Sequence, residues 1–205
     1  MREVQPDDLA ELGRRVPELV DHGPAHAVLA HGAHTVTGGL GGLGLRAAVL
    51  LVDRDTSHLL LASRSGRVVR DGQGLEMQMQ AIGAVAAIVA ADSVETADVT
   101  ALVSANPQLT GVLHAAGAGD GGLLIELDAQ RVQWIHASKA MCAWYLQCAV
   151  AAFPLETRVL FSSVGSGLGN VGQANYAAGN PSLDAHALAR RAHATVARGP
   201  PGRPS

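Results

Sequence analysis

The chain has 205 residues, of which 48% are hydrophobic, 16% charged and only 3% aromatic. This length suits one domain and is enough to bury a hydrophobic core. The net charge of −3 lacks the basic excess by which proteins bind nucleic acid or anionic membranes, so neither partner is predicted. No apolar stretch approaches the roughly 18 residues of a membrane-spanning helix, and the polar, acidic amino terminus does not resemble a signal peptide.

Cysteine and lysine are both rare in this chain. Cys142 and Cys148 lie on one predicted helix, where geometry disfavours a disulfide between them. Together with the absence of a leader-like segment, this indicates a reducing, cytoplasmic setting. Of the 15 basic residues, only Lys139 is a lysine, and every other one is an arginine.

From about residue 33 the sequence alternates short apolar runs with longer helical segments. The predicted strands are 34–37, 58–62, 85–91, 109–114 and 158–162. The predicted helices are 45–52, 74–82, 94–103, one or two helices within 123–151, and 174–194. Strands without polar alternation, each followed by a helix, indicate a parallel sheet that is buried on both faces. Right-handed crossovers then give an α/β fold, a Rossmann-type doubly wound sheet with helices on both faces.

The two ends of the chain differ from this pattern. Residues 1–32 hold one amphipathic helix, over 8–20, and no clear strand, so we predict the stub of a preceding subdomain or a linker. Residues 33–196 form the predicted nucleotide-binding domain. Residues 197–205 (ARGPPGRPS) have the composition of a disordered tail.

A glycine-rich loop (TGGLGGLG) joins the first predicted strand to the first helix. It fits both GxGxxG, with its first glycine at Gly39, and TGxxxGxG, which begins at Thr37. Residues without Cβ allow a tight turn and bring the backbone close to a pyrophosphate, which the following helix terminus attracts. A dinucleotide site is therefore predicted, with a purely structural turn as the alternative. The predicted contacts are Thr37, Gly38, Gly39, Leu40, Gly42, Leu43 and Gly44.

The next two strand ends carry further candidates for cofactor binding. The second strand ends in Ser63 and Arg64, twenty residues after Gly44. An NAD site has an acidic residue there, whereas arginine favours the 2′-phosphate of NADPH; a solvated arginine is the alternative. Asp92, followed by Ser93, closes the third strand. Its carboxylate could accept a hydrogen bond from the adenine amino group, or it could cap the next helix.

Three further segments complete a recognisable set: HAAG at 114–117, FSS at 161–163 and GNVGQANYAAGN at 169–180. With the glycine loop, they resemble the ketoreductase domains of modular polyketide synthases, in the short-chain dehydrogenase/reductase superfamily, over about residues 33–190. The resemblance implies that NADPH reduces a β-ketoacyl group, tethered to an acyl carrier protein, to β-hydroxyacyl. It also implies contact with other synthase domains, and cofactor contacts at Ala115, Ala116 and Gly117.

The reaction itself suggests roles for the polar residues of these segments. Carbonyl reduction adds hydride to carbon and a proton to oxygen. Tyr176 can supply that proton if a nearby cation stabilises its phenolate. Ser163, at a strand end, can donate a second hydrogen bond to the same oxygen. Asn180 follows Tyr176 by four residues and so shares its helix face.

Ordinary short-chain reductases have a lysine where this chain has Asn180. The polyketide ketoreductases that the chain resembles exchange the two residues and take their lysine from the preceding long helix. Lys139, 24 residues before Ser163, matches that arrangement. A compact ammonium in a chain that otherwise uses arginine supports the same assignment. Lys139 and Asn180 are therefore expected to organise the proton path to Tyr176.

Other chemistries lack support in the sequence. No Gly-x-Ser-x-Gly elbow surrounds Ser163. The nine histidines show no metal-ligand spacing with the cysteines, so no metal site is predicted. His114 is predicted to be a strand-end residue rather than a ligand or a base.

After the helix that carries Tyr176, the family continues with another strand, a loop and a lid helix. This chain instead runs into the sequence GPPGRPS. The expected sheet is therefore truncated at its C-terminal side, with the fifth strand as an exposed edge. The alternative function is accordingly a truncated, catalytically inactive fragment that at most binds nucleotide or partner domains.

Overall fold

The computed structural model describes residues 32–68, 77, 82, 86–119, 121–169 and 171–198. The predicted helix 8–20 and the rest of the predicted stub before Gly32 lie outside these residues. So does most of the predicted helix 74–82, of which only Met77 and Ile82 are described, both helical.

Five parallel strands form one sheet in the order β3-β2-β1-β4-β5. The strands are β1 Gly32–Thr37, β2 Thr56–Ser63, β3 Ala86–Ala90, β4 Leu109–His114 and β5 Thr157–Leu160. The order runs outward from β1 in both directions, as in a doubly wound fold. The predicted fold class is confirmed.

Burial differs between the centre and the edges of this sheet. The three central strands are mostly buried, and their exposed residues are Ser57 and His58 near the amino end of β2. The edge strands are less buried: Ile88 on β3 is 45% exposed and Val159 on β5 is 37% exposed. The edge position of β5 agrees with the prediction from the sequence.

The helices lie on both faces of the sheet. Successive strand residues point to opposite faces, and neighbours on β4 accordingly belong to different core clusters. Leu113 packs with Leu45 of the first helix, whereas Val112 packs with Val99 and Leu146 from two later helices. The helices are α1 Gly42–Val52, α2 Thr96–Ser104, α3 Ala129–His136, a π-helical turn Ala137–Met141, α4 Cys142–Ala149, α5 Gly165–Leu168, α6 Ala174–Gly179 and α7 Pro181–Arg198.

Two helix boundaries differ from those predicted. Helix α1 begins at Gly42, three residues early, because the Leu45 amide already donates a helical hydrogen bond to the Gly41 carbonyl at 2.9 Å. The predicted helix 174–194 divides at Asn180, because Pro181 has no amide hydrogen and starts a new helix. Helix α7 extends to Arg198, two residues into the predicted tail, whose remaining residues lie outside the described ones.

Both cysteines are free thiols, with Cys142 buried and Cys148 exposed. Across the described residues, no helix combines the length and the apolar character that crossing a membrane requires.

The two-sided core makes a prediction for Leu61 on β2, which is fully buried, and Leu50 on α1, which is 56% exposed. Leu61→Ala should lower the free energy of unfolding by about 2–5 kcal/mol, because it leaves a cavity between α1 and the sheet. Leu50→Ala should change it by less than about 0.5 kcal/mol. Urea unfolding followed by circular dichroism measures both variants, and equal losses would contradict this assignment of the core.

Candidate active site

The candidate residues gather at the carboxyl edge of the sheet. Thr37 pairs with Ala62 on β2 and with His114 on β4, so the ends of these three strands are level. Ser163 follows β5 at the same edge. In doubly wound sheets, ligands bind outside this edge, where the strand order reverses. The crevice between β1 and β4 is that point here.

The glycine loop makes a tight turn from β1 into α1. Gly38 has a φ of +69°, and its carbonyl accepts a hydrogen bond from the Gly41 amide at 3.0 Å. A Cβ on Gly38 would lie 2.5 Å from the amide nitrogen of Ala116. A Cβ on Gly44 would collide with the Gly38 carbonyl oxygen. Both positions therefore require glycine for packing alone.

Gly42 differs from these packed glycines. A Cβ on Gly42 would meet nothing within 4 Å, so the first residue of α1 borders open space. The N-cap residue Gly41 offers no side-chain cap, and the first turn contains no acid. This uncapped end, with its free amides, has the room and the polarity that a pyrophosphate needs. The three glycines of TGxxxGxG thus have three different functions. Gly38 makes the turn, Gly42 leaves open space and Gly44 packs the helix against the loop. Contact between this loop and a cofactor stays a prediction.

The side chains of the loop face different ways. Leu40 is fully buried in the core and Leu43 is 57% exposed. Thr37 is buried, and its hydroxyl lies 2.7 Å from the Nδ1 atom of His114. Gly39 donates its amide to the Ala62 carbonyl, which ties the loop to β2.

Three of the residues predicted to bind the adenosine part influence the thiol of Cys142. Burial raises the pKa of this thiol to about 11; a hydrogen bond with Ser93 opposes the rise, the charge of Asp92 adds to it, and that of Arg64 opposes it. All three predicted residues therefore act on the same thiol. Arg64 itself is exposed in the turn after β2.

Asp92 and Ser63 also hold the local backbone. Asp92 accepts the Val94 amide at 3.1 Å, so its carboxylate stabilises the turn before α2, whereas the N-cap of α2 is Glu95. The Ser63 hydroxyl accepts the Gly66 amide at 3.1 Å. The Ala91 amide donates to the Ser63 carbonyl at 2.9 Å, which holds the loops of Arg64 and Asp92 side by side.

Lys139 is the central charged group of the site. It lies in the π-helical turn and is only 5% exposed. Its Nζ donates to the Phe161 carbonyl at 3.2 Å and lies 5.3 Å from the centre of the Tyr176 ring. Burial lowers the pKa of Lys139, and the nearby Tyr176 hydroxyl group, through its negative form, opposes this effect.

Asn180 completes this group. Its side chain is fully buried, and Nδ2 donates to the Tyr176 carbonyl at 2.8 Å. Its Oδ1 atom has no partner among the residues that the structure describes. The neighbouring Gly179 lets α6 approach α3 and the π-helical turn, since a Cβ there would lie 3.2 Å from Ile135 and 3.7 Å from Lys139. Tyr176 thus lies beside Lys139 and is bonded to Asn180 through its carbonyl, and the roles predicted for these three residues stay predictions.

Ser163 lies on the loop after β5. Its hydroxyl oxygen accepts the Gly165 amide at 3.1 Å, which leaves the hydroxyl hydrogen available for donation. Helix α5, which starts two residues later, packs against α6, the helix of Tyr176. The adjacent Ser162 hydroxyl is buried with no partner in the described part of the chain.

The HAAG segment lies between the glycine loop and the lysine. The Ala115 amide donates to the Thr37 carbonyl at 2.9 Å. Gly38 packs against the peptide between Ala115 and Ala116, and a Cβ on Gly117 would lie 2.9 Å from the Nζ atom of Lys139. The segment therefore contacts both the predicted cofactor loop and the predicted catalytic lysine.

Comparison with known proteins gives this geometry a family. A family model described as "KR domain" matches residues 32–198. The chain belongs to the KR domain family. KR domains are members of the short-chain dehydrogenase/reductase superfamily, and those of modular polyketide synthases reduce β-keto groups. Their fold family normally binds a nicotinamide cofactor.

Relatives of this KR domain include large polyketide synthases. Polyketide synthase GfsB of Streptomyces halstedii is 42% identical over 164 residues, which are 78% of this chain and 3% of GfsB. Erythronolide synthase EryA2 of Saccharopolyspora erythraea is 39% identical over 188 residues, which are 91% of this chain and 5% of EryA2. The chain therefore spans only a few per cent of these relatives.

Solved structures of ketoreductases share the fold. A structure of A-type ketoreductases from a modular polyketide synthase superposes with a TM-score of 0.72 at 33% identity. That match covers 83% of this chain and 37% of the solved chain. The first ketoreductase of the tylosin synthase gives a TM-score of 0.71 at 33% identity, covering 80% of this chain and 36% of its own.

The KR site contains one feature that the sequence reading did not assign, the buried side chain of His114. Burial and, to a smaller extent, the positive charge of Lys139 lower its pKa to about 4, although the backbone carbonyls of Ser138 and Lys139 act in the opposite direction. The imidazole is therefore neutral at pH 7. The sequence does contain a signal for this residue: His114 ends an apolar strand and is the first residue of the HAAG segment.

A separate cleft of about 280 Å³ lies between α4, α7 and β5. None of the predicted site residues lines it. The half-buried Arg158 at its wall donates to Gln147 and to the Val150 carbonyl. Burial and the charge of Arg190 lower the pKa of Arg158 to about 10. The residues predicted to carry out the chemistry of the KR domain therefore lie outside this cleft.

The glycine loop yields a matched pair of variants. Gly44→Ala should lower the free energy of unfolding by roughly 1–3 kcal/mol, because its Cβ meets the Gly38 carbonyl. Gly42→Ala should leave it within about 0.5 kcal/mol, because that Cβ enters open space. Urea midpoints of the two variants provide the test. A destabilised Gly42→Ala would show that the first turn of α1 is closed.

Proposed function

We propose that this KR domain reduces a β-ketoacyl group, carried by an acyl carrier protein, to a β-hydroxyacyl group with NADPH. The observation that carries the proposal is the buried Lys139 ammonium 5.3 Å from the centre of the Tyr176 ring. A buried cation beside a tyrosine favours the charged phenolate that remains after proton donation. The membership of the KR family supports the same reaction.

The glycine loop and the adjoining strand ends have the features needed to hold the cofactor. We expect the open first turn of α1, at Gly42 and Leu43, to bind the pyrophosphate. Arg64 would bind the 2′-phosphate, and Asp92 with Ser93 would border the adenine. The Ala115 to Gly117 backbone would line the nicotinamide side. When bound, the reduced nicotinamide supplies a hydride to the carbonyl carbon.

Tyr176 and Ser163 would act on the carbonyl oxygen. As the carbon gains a hydride, the C=O π electrons move to oxygen, which takes the hydroxyl proton of Tyr176. Ser163 donates a hydrogen bond to the same oxygen and stabilises its developing charge. Its bond from the Gly165 amide orients the hydroxyl for this purpose. The products are a secondary alcohol and the phenolate of Tyr176.

Lys139 and Asn180 would restore the proton on Tyr176. The ammonium of Lys139 stabilises the phenolate, and its low exposure limits the loss of that effect to water. Asn180 holds the backbone of Tyr176 through Nδ2. Its buried Oδ1 retains the capacity to accept a hydrogen bond on the path by which the proton returns.

The expected partners follow from the relatives. GfsB, EryA2 and the pikromycin synthase component PikAIII are synthases of which this chain matches 3%, 5% and 12%. We infer that the substrate arrives on a carrier protein and that other synthase domains contact this one, in the cytoplasm.

The proposed proton donor is tested by Tyr176→Phe, with Tyr145→Phe as the matched control. Tyr145 packs at a core cluster formed by α2, α4 and β4 and takes no part in the site. Tyr176→Phe should lower kcat for a β-ketoacyl thioester by about 10²- to 10⁴-fold, because the proton donor is lost. Tyr145→Phe should keep the parent rate. NADPH oxidation followed by absorbance gives both rates.

Two results would count against the proposal. A Tyr176→Phe variant as fast as the parent would remove tyrosine as the acid. A parent chain that binds NADPH but oxidises none of it with β-ketoacyl thioesters would support the alternative of a non-catalytic nucleotide-binding fragment.

Arg64 should set the choice between the two nicotinamide dinucleotides. Arg64→Glu should weaken NADPH binding by about 10- to 100-fold, because a charge-assisted hydrogen bond to the 2′-phosphate is replaced by repulsion. NADH binding should not weaken. Arg67→Glu, in the same exposed turn, is the matched control for net charge. Fluorescence titration measures both affinities, and equal losses in the two variants would contradict the role of Arg64.

A further inference from the structure

We propose that His114 is a positioning residue that holds the turn carrying Lys139 and links it to the glycine loop. The role is mechanical and electrostatic, through Lys139, and requires no contact between His114 and the substrate. Its catalytic consequence rests on the function proposed above for Lys139.

On one side, His114 is tied to the start of the glycine loop. It is the last residue of β4 and is fully buried. Its Nδ1 atom lies 2.7 Å from the hydroxyl of Thr37, the last residue of β1. Thr37 precedes Gly38, whose positive φ begins the loop. A movement of the imidazole would therefore be transmitted to the loop that is predicted to hold the cofactor.

On the other side, the imidazole is electrostatically coupled to the π-helical turn. The Cys142 amide donates to the Ala137 carbonyl, five residues earlier, rather than four as in an α-helix. Such a turn leaves carbonyls without regular helical partners and often marks a functional site. The carbonyls of Ser138 and Lys139 act on the His114 ring, as does the Lys139 charge. The ring is thus close to the turn that presents the lysine.

The neutral form of His114 suits this position. Burial lowers its pKa to about 4, so it adds no second positive charge beside Lys139. A neutral imidazole has one donor and one acceptor. Nδ1 would accept from the Thr37 hydroxyl, and Nε2–H would face the carbonyls of the turn. Among the described residues Nε2 is buried and has no hydrogen-bond partner, so its capacity to donate to this turn is unused by any other group.

The backbone around His114 reaches the lysine as well. The His114 carbonyl accepts the Phe161 amide at 3.0 Å, and the Phe161 carbonyl accepts the Lys139 ammonium. Three residues further on, Gly117 leaves the space that the end of the Lys139 side chain occupies. The HAAG segment therefore reaches Lys139 at both of its ends. His114 is linked to the ammonium through the backbone of Phe161, and Gly117 lies beside the ammonium.

His34 provides a matched comparison in the same sheet. It is also fully buried, lies on β1 and has its Nδ1 atom 2.9 Å from the hydroxyl of Thr56. This pair lies near the amino ends of the strands, away from Lys139, since His34 is opposite Leu59 and Gly111. A general structural need for a buried histidine would apply to both residues, whereas positioning of Lys139 applies only to His114.

The chain offers a direct readout, because Lys139 is its only lysine. With isotopically labelled lysine, one side-chain NMR signal reports the pKa of Lys139 in the full chain. Among the described residues, the titratable groups that interact with its ammonium are Tyr176 and His114. His114→Ala should raise the pKa of Lys139 toward its ordinary value by roughly 0.5 or more, because the turn loosens and water enters. His34→Ala should leave it unchanged.

Two further variants complete the experiment, a conservative replacement of His114 and a replacement of its hydrogen-bond partner Thr37. His114→Gln, whose amide reaches toward the position of Nε2, should recover most of the parent pKa. Thr37→Val keeps the histidine and removes only the hydroxyl at Nδ1, so it should give a smaller rise in the same direction. It also serves as the test if His114→Ala does not fold. In the reductase assay, His114→Ala should lower kcat by about 10- to 100-fold with little change in KM.

The outcomes separate this proposal from the proposed function. An unchanged Lys139 pKa in a folded His114→Ala, or in Thr37→Val if that variant alone folds, would overturn it. An equal shift in His34→Ala would reduce His114 to a structural residue and also overturn it. A chain that shows the specific Lys139 shift but no reductase activity would instead contradict the proposed function and leave the positioning role supported.

Discussion

The buried ammonium of Lys139 constrains the whole site, because a charge removed from water must keep polar partners. The Phe161 carbonyl accepts its hydrogen bond, and the Tyr176 ring lies 5.3 Å away. These partners come from the loop after β5 and from α6, while the lysine comes from a π-helical turn. Three separate segments must therefore be correctly packed before the charge is satisfied, and that packing also brings the tyrosine to the cation.

Small residues make this close packing possible. Gly117 and Gly179 belong to different motifs, yet each leaves space for the Lys139 side chain or its helix. Gly38 and Gly44 do the same for the turn into α1, where their missing Cβ atoms allow contact with Ala116 and with each other. The glycines of this chain thus have two distinct uses, since Gly42 borders open space and is needed only if a ligand approaches it.

Local sequence predicted the strands better than the helix boundaries. The strand 109–114 agrees residue for residue, because a short apolar run is bounded by a turn and by the small residues of HAAG. The helix predicted over 174–194 is divided at Asn180, because Pro181 has no amide hydrogen to continue one regular helix. The apolar periodicity of the sequence continues across this proline and therefore predicts a single helix. Among the predicted site residues, Lys139 and Asn180 both lie next to Tyr176, whereas the sequence indicates only a strand-end position for His114.

The sequence by itself determined the parallel alternating fold and the glycine loop between its first strand and first helix. These depend on residue type and on short spacings, which act through local backbone geometry. Only the tertiary structure decided that Thr37 and His114, 77 residues apart, share a hydrogen bond, and that the charge of Lys139 acts on the His114 ring. The order of strands in the sheet determines such contacts, and no spacing along the chain specifies the distance across neighbouring strands.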